Sequence, residues 1–208
     1  AIVAAFAQAA KNAMASGFDG VEVHAANGYL IDQFLRDGSN PRTDAYGGSV
    51  ENRARLLTEV LDAVCAAIGS ERVGVRTSLL NSYNSMIDSD PVALTTWLAK
   101  RLNDFNLAYW HVMRGEFFQA QHGDVLTPAR AHYKGVLVGN MGYTADEAEQ
   151  AIADGRVDAV AFGTGFLANP DLPARVQSGA ALNIPNPATF YTPGPEGYTD
   201  YPTMTDAS

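Results

Sequence analysis

A single cysteine in 208 residues, Cys65, leaves no partner for an intrachain disulfide. The fold must therefore be held by its core, and a reducing compartment such as the cytoplasm fits. Cys65 falls inside a helical pattern and reads as a small buried apolar residue rather than a nucleophile. Basic residues are scarce, 14 against 23 acidic ones for a formal charge of -9, which argues against a nucleic-acid backbone as partner, since that demands a basic face. No apolar run is long enough to span a bilayer. The opening stretch Ala1 to Phe6 lacks a preceding basic region and is interrupted by Lys11, so it reads as helix rather than signal peptide. The four histidines show no metal-ligand spacing, so no metal is expected. The chain also lacks an initiator Met and starts within a helical pattern, which reads as the beginning of a piece of a longer protein.

What is present is enough apolar residue, 47%, for one sizeable core, so residues 1-208 are expected to form one domain. Ile2, Phe6, Ala9, Ala10, Ala13 and Met14 recur at helical spacing and stop at Gly17, followed by a strand over Val21 to His24. Residues 40–48 are loop chemistry, Ser49 caps a helix running to about Ala67, and Val73 to Arg76 is a second strand. Asp90 and Pro91 open a helix through Leu102, and a strand follows over Ala108 to Val112. Thr127-Pro128 opens a short helix that ends near Gly135, before a strand over Val136 to Val138. Thr144 with Glu147 makes a capping box, Val157 to Phe162 is the last strand, and Asn169-Pro170-Asp171 starts the last helix. Residues 180-208 form an irregular tail rich in Pro, Gly and Tyr.

Strands alternating with helices, several of them apolar on both faces, imply α/β architecture with a parallel sheet. Five units fall short of an eight-stranded barrel, which takes roughly 250 residues. They read as the last five units of a partial (β/α)8 barrel, because an open arc would leave two unpaired edges. About three front units would then come from a second chain, a permuted segment, or a portion removed by cleavage.

Chemistry gathers first at Val21-Glu22-Val23-His24-Ala25-Ala26-Asn27-Gly28-Tyr29, a strand that ends in an imidazole, with a carboxamide and a phenol just beyond. His24 and Asn27 at a strand mouth could converge as N–H donors on one ligand oxygen, favouring negative charge there as a nucleophile adds to an enone or nitro compound. A phenol ordinarily keeps its proton to about pH 10, so Tyr29 could deliver one to carbon. The plainer account is a histidine bound to backbone beside an Asn-Gly turn. Arg76 ends an otherwise apolar strand, either as a cation for an anionic reduced ring or in a structural ion pair. His111 reads as a core or rim histidine. Gly139-Asn140-Met141-Gly142 and Gly163-Thr164-Gly165 follow the last two strands, where small residues let backbone amides approach a phosphate.

The runs from His24 to Phe34, from Ser39 to Ser49 and from Glu51 to Arg55 resemble the Old Yellow Enzyme family of flavin-dependent ene-reductases. Phe162-Gly163, the run from Leu167 to Leu172 and the tail through Phe190-Tyr191 to Asp200-Tyr201-Pro202 resemble its C-terminal signatures. The likeness covers essentially the whole chain. It implies an FMN-binding (β/α)8 barrel that takes hydride from NADPH or NADH and passes it to the β-carbon of an activated alkene. By position, His24 and Asn27 would hold the carbonyl or nitro oxygen of an enone or nitroalkene substrate and Tyr29 would protonate the α-carbon. Arg76 would contact the flavin pyrimidine edge, Gly139, Asn140, Gly163 and Thr164 would bind its phosphate, and Tyr83 and Tyr191 would flank the substrate. Thr164 stands where the family commonly has an arginine, implying one charge fewer on the phosphate. The family's front strands supply further flavin contacts, so this chain alone should bind flavin poorly, with the N-terminal barrel portion as its partner. The competing readings are a non-catalytic partial barrel that complements another subunit, and another phosphate-binding barrel such as an isomerase or aldolase. A strand-end lysine would favour the last, and none of the five strands has one.

Overall fold

The computed structural model describes residues 1–205. Five parallel strands lie in sequence order, β1 (Val21–Ala25), β2 (Val73–Thr77), β3 (Tyr109–Met113), β4 (Leu137–Asn140) and β5 (Ala159–Ala161). α1 (Ile2–Ala15) precedes β1, and between the strands run α2 (Leu30–Leu35), α3 (Val50–Arg53), α4 (Arg55–Ile68), α5 (Pro91–Leu102), α6 (Leu126–His132) and α7 (Ala145–Ala153). After β5 come α8 (Thr164–Ala168) and α9 (Leu172–Ser178).

Strand alternation decides which side chains meet the helices. Val23, Ala25, Val73, Val75, Trp110, Val112 and Leu137 are buried, packing with Leu57, Val60, Leu61 and Val64 of α4 and Leu94, Leu98 and Leu102 of α5. Each such large apolar side chain contributes about 1.5–3 kcal/mol by leaving water. The alternate positions form the other face. Register pairs Glu22 with Gly74 and Gly74 with Tyr109 in one row, and His24 with Arg76 and Arg76 with His111 in the next. That face is polar on the first three strands, which corrects the expectation of strands apolar on both faces. Gly74 is required there, because a Cβ would lie 2.3 Å from the Tyr109 ring.

Several predicted boundaries move for identifiable reasons. The helix expected from Ser49 to Ala67 is two pieces, hinged at Ala54 with φ -79° and ψ -7°. The cap assigned to Thr127 is supplied by Asp124, whose carboxylate accepts from the amides of Leu126 at 2.9 Å and Thr127 at 3.0 Å. The last strand is shorter than Val157 to Phe162, and a short helix not anticipated, α8, starts directly at Thr164. The six-residue α2 was hidden inside the motif that carries the chemistry. Asp90 and Thr144 do cap α5 and α7, accepting from Ala93 and Glu147.

Cys65 is half-buried on α4, and burial pushes its thiol up, which favours the unreactive protonated form. The tail from residue 180 is irregular, and its residues 206–208 lie outside the described residues. It is tied back by Arg175, whose Nη2 donates to the Pro202 carbonyl at 2.9 Å, and by Asp171, which accepts from the Met204 amide at 2.7 Å. Among the described residues, no helix is long and apolar enough to cross a membrane.

Candidate active site

A cleft of about 690 Å³ opens at the C-terminal ends of the strands. It is lined on one side by Asn27, Tyr29 and Tyr83, at its floor by Arg76, Met113 and Asn140, and on the other side by residues 161–165. Asn27 and Tyr29 from the first corner thus line the same cleft as Asn140 to Gly142 and Gly163 to Gly165 from the two glycine-bearing corners, while His24 and Gly139 are not part of its lining.

The β1 corner is fixed by its backbone. Asn27 and Gly28 both take left-handed conformations, with φ 57° and 75°. At Gly28 a side chain would also collide, since a Cβ would lie 2.5 Å from the Asn84 Cβ. The Asn27 amide donates to Ser78 Oγ at 2.7 Å and its carbonyl accepts from Asn84 Nδ2 at 2.8 Å. The Gly28 amide donates to Asp32 Oδ2 at 2.9 Å, and its carbonyl accepts from Gln33 Nε2 at 2.6 Å. The corner throws the Tyr29 ring to 5.2 Å from the His24 ring, and Tyr29 is 57% exposed. His24 is exposed on the polar sheet face rather than on the cleft's lining. Burial, then the Arg76 charge, lowers its pKa, so the imidazole is neutral at pH 7 and offers one N–H and one acceptor nitrogen. The Asn27 Oδ1 is buried with no protein partner.

Arg76 spans the floor. Its Nη2 donates to Asn140 Oδ1 at 2.9 Å and approaches the Met113 sulfur at 3.9 Å, while its Nε is buried with no protein acceptor. Burial disfavours its charge and Glu22 supports it. Among the described residues, no carboxylate lies within ion-pair distance of Arg76. Glu22 pairs instead with His111, Nδ1 to Oε2 at 2.9 Å. Burial pushes the Glu22 carboxyl up, but His111, Tyr109 and Arg76 together bring it below the usual range.

The second corner is open. Gly163 and Thr164 line the cleft, and a Cβ built on Gly163 would meet nothing within 4 Å. Gly139 faces away, toward Tyr143 and Val157, and the cleft is lined instead by Asn140, Met141 and Gly142. The Asn140 carboxamide is already committed, to Arg76 and through Nδ2 to the Ala161 carbonyl at 2.9 Å. Tyr83 and Tyr191 both line the cleft, the latter 96% exposed on the tail.

Reading the sequence missed Met113, Phe117 and Tyr143. Met113 was within reach, being the next same-face position after His111. Phe117 sits on a loop that Glu116 organises. The Glu116 carboxylate accepts from the Ser82 amide at 2.9 Å, the Phe118 amide at 3.0 Å and the Ala120 amide at 2.8 Å, and also from the Ser82 hydroxyl. Burial works against this charge, but those bonds prevail and hold its pKa at about 2. They set Phe117 and Phe118 beside Tyr83, with ring centroids 6.3 and 6.5 Å away. Arg114 stacks on Tyr143 at 3.5 Å and pairs with Glu147 at 2.6 Å, bracing the Met141-Gly142 loop through its carbonyls.

Residues 1–183 match the family described as NADH:flavin oxidoreductase / NADH oxidase. The chain belongs to that family. A Leishmania infantum protein described as a probable flavin mononucleotide-dependent alkene reductase is 58% identical over 199 residues, covering 96% of this chain and 54% of that one. The 12-oxophytodienoate reductase 2 of Arabidopsis thaliana is 47% identical over 210 residues, covering 98% and 56%. The old yellow enzyme from Trypanosoma cruzi superposes with a TM-score of 0.95 at 48% identity, covering 98% of this chain and 55% of that one. Morphinone reductase in complex with tetrahydroNAD superposes at 0.91 with 46% identity, over 98% and 55%. The chain spans about half the length of these relatives.

Proposed function

We propose that residues 1-208 form the C-terminal part of one FMN-dependent (β/α)8 barrel that reduces the activated C=C bond of α,β-unsaturated carbonyl or nitro compounds with NADPH or NADH. The front β/α units, on the same or another chain, would close the polar sheet face and the free edges of β1 and β5. The observation that carries this reading is that one cleft is lined together by the Tyr29 corner, the Arg76 guanidinium and the open Gly163 corner.

The residues fit FMN in two respects. The buried Arg76 Nε without an acceptor suits an anionic ring edge, and the empty space over Gly163 suits a phosphate held by backbone amides, with Thr164 beside it. FMN would supply the hydride, drawn from the reduced nicotinamide. His24 and Asn27 would each donate a hydrogen bond to the substrate oxygen where negative charge develops, an interaction whose loss typically costs about 2.7–4 kcal/mol per donor. Tyr29 would hold the proton for the α-carbon, and Tyr83 and Tyr191 would bound the substrate. Gly139 would contribute only through its backbone.

The full protein that carries this chain should be yellow, bleach under anaerobic NADPH and regain colour on adding 2-cyclohexen-1-one. Tyr29→Phe should slow the recolouring by about 10²–10⁴-fold, the usual worth of a positioned general acid, while leaving the bleaching within a few-fold. Equal losses in both phases would remove Tyr29 from the proton-donor role, and failure to retain FMN after reconstitution would remove the whole assignment.

A further inference from the structure

Asp32 and Arg36 are the least expected residues in the molecule. Both are charged, both are fully buried, and neither touches the cleft. They lie one turn apart on and just beyond α2, with Arg36 Nη1 3.6 Å from Asp32 Oδ1. Arg36 spends its donors on the loop after β2, reaching the carbonyls of Ser78 at 2.9 Å and Met86 at 3.2 Å. Asp32 reaches the other way. Its Oδ2 accepts from the Gly28 amide at 2.9 Å and lies 3.4 Å from Ser78 Oγ. Since Ser78 Oγ accepts from the Asn27 amide at 2.7 Å, its hydroxyl proton is free to turn toward Asp32.

We propose that Asp32 and Ser78 are positioning residues, which hold two successive amides of the β1 corner in left-handed conformation and so aim Asn27 and Tyr29 over the cleft. The inference rests on the ene-reductase reading for what the aim serves, but its geometry does not. Non-glycine residues enter the left-handed region at a cost, and Asn27 stays there because both flanking amides have acceptors that only that conformation reaches. Replacing Ser78 by Ala would leave the Asn27 amide unpaired in a part-buried site, and the corner would relax. A displacement of an ångström at reacting groups can cost about a hundredfold in rate.

The test uses the full protein loaded with FMN, with Ser78→Ala, Asp32→Ala and Asp32→Asn variants and 2-cyclohexen-1-one as substrate. Ser78→Ala and Asp32→Ala should raise KM and lower kcat, with kcat/KM falling by roughly tenfold to a hundredfold. The Kd for FMN should stay within about twofold, because no flavin-facing group moves. Asp32→Asn keeps an oxygen for the Gly28 amide and should recover most of the loss. In parallel, hydrogen exchange should quicken by about tenfold or more at Asn27 and Gly28 in Ser78→Ala and stay unchanged at Val75 in the core. Unchanged corner exchange, a rise of the same size at Val75, or unchanged kcat/KM despite faster corner exchange would each overturn the proposal. A wild type without FMN or alkene turnover would sink the ene-reductase reading alone, and the exchange measurement would still decide this one.

Discussion

At the β1 corner a methyl group added to Gly28 would strike Asn84 at 2.5 Å, whereas at the β5 corner a methyl added to Gly163 would strike nothing within 4 Å. Both corners end parallel strands, both face the same cleft, and both carry glycine. The first is packed and hydrogen-bonded from beneath by Asp32, Ser78, Gln33 and Asn84. The second presents backbone to open space. The first corner is finished by the protein itself, and the second is left open, as the proposed phosphate site would need.

Breaking the packed corner should have the largest effect. Arg36→Ala would strand the Asp32 carboxylate in a fully buried position, a change that costs about 3–5 kcal/mol. At about 2–4 °C per kcal/mol for a chain of this size, the melting temperature should fall by roughly 10 °C or more, measured by circular dichroism. A fall of only a degree or two would mean that the carboxylate finds water or another partner.

The same carboxylate predicts a pH dependence of unusual sign. Burial raises the Asp32 pKa to about 6, outweighing the opposing pull of Arg36 and its hydrogen bonds. The unfolded chain releases that proton near pH 3.9. Between these values the folded state binds the extra proton, so the contribution of Asp32 to stability declines as pH rises from about 4 to about 6, by at most about 3 kcal/mol, and is level above. Asp37 and Asp158, whose pKa values are lowered, contribute in the opposite sense. The quantity to measure is therefore the wild-type unfolding free energy minus that of Asp32→Asn in urea, followed from pH 4 to 7. A flat or rising difference would refute the burial argument.

Gly28→Ala comes next. A φ of 75° in a residue with a Cβ costs about 1–3 kcal/mol, and here the methyl must also displace the loop that carries Tyr83. Stability and alkene turnover should fall together.

How far each corner could be read in advance follows from the same contrast. His24, Asn27, Tyr29 and Arg76 stood out as imidazole, amide, phenol and guanidinium at or just beyond strand ends, and the family resemblance supplied the roles expected of them. The strands β1 to β4 were legible to within about two residues from their β-branched runs, and α5 from Asp90-Pro91. The residues beneath the corner were not legible. Asp32 and Arg36 stand four apart, the spacing of a helical ion pair, but that spacing means something only once Leu30 to Leu35 is known to be a helix. Nothing in a linear reading distinguishes a buried charged pair from a solvated one, because burial is decided by the β2 loop some 45 residues later. The helix at Thr164 was missed because Gly163-Thr164-Gly165 carries no apolar period.

The open corner offers the smallest and cleanest comparison. Gly163 has φ -96°, outside the left-handed region, and a Cβ there would meet nothing within 4 Å, so Gly163→Ala should change stability by no more than about 0.5 kcal/mol. If the space above it receives a phosphate, the added methyl should still weaken FMN binding by about tenfold, equivalent to about 1.4 kcal/mol. Thr164→Arg should act in the reverse direction, since a guanidinium beside a phosphate forms charge-assisted hydrogen bonds worth about 1.5–3 kcal/mol, or roughly ten- to a hundredfold in Kd. Fluorescence titration of FMN separates the cases, with riboflavin as the control because it has the ring and lacks the phosphate. Opposite shifts for FMN and none for riboflavin place the phosphate at Gly163. Equal shifts for both ligands would move it elsewhere along the rim, and the unfinished corner would then need another occupant.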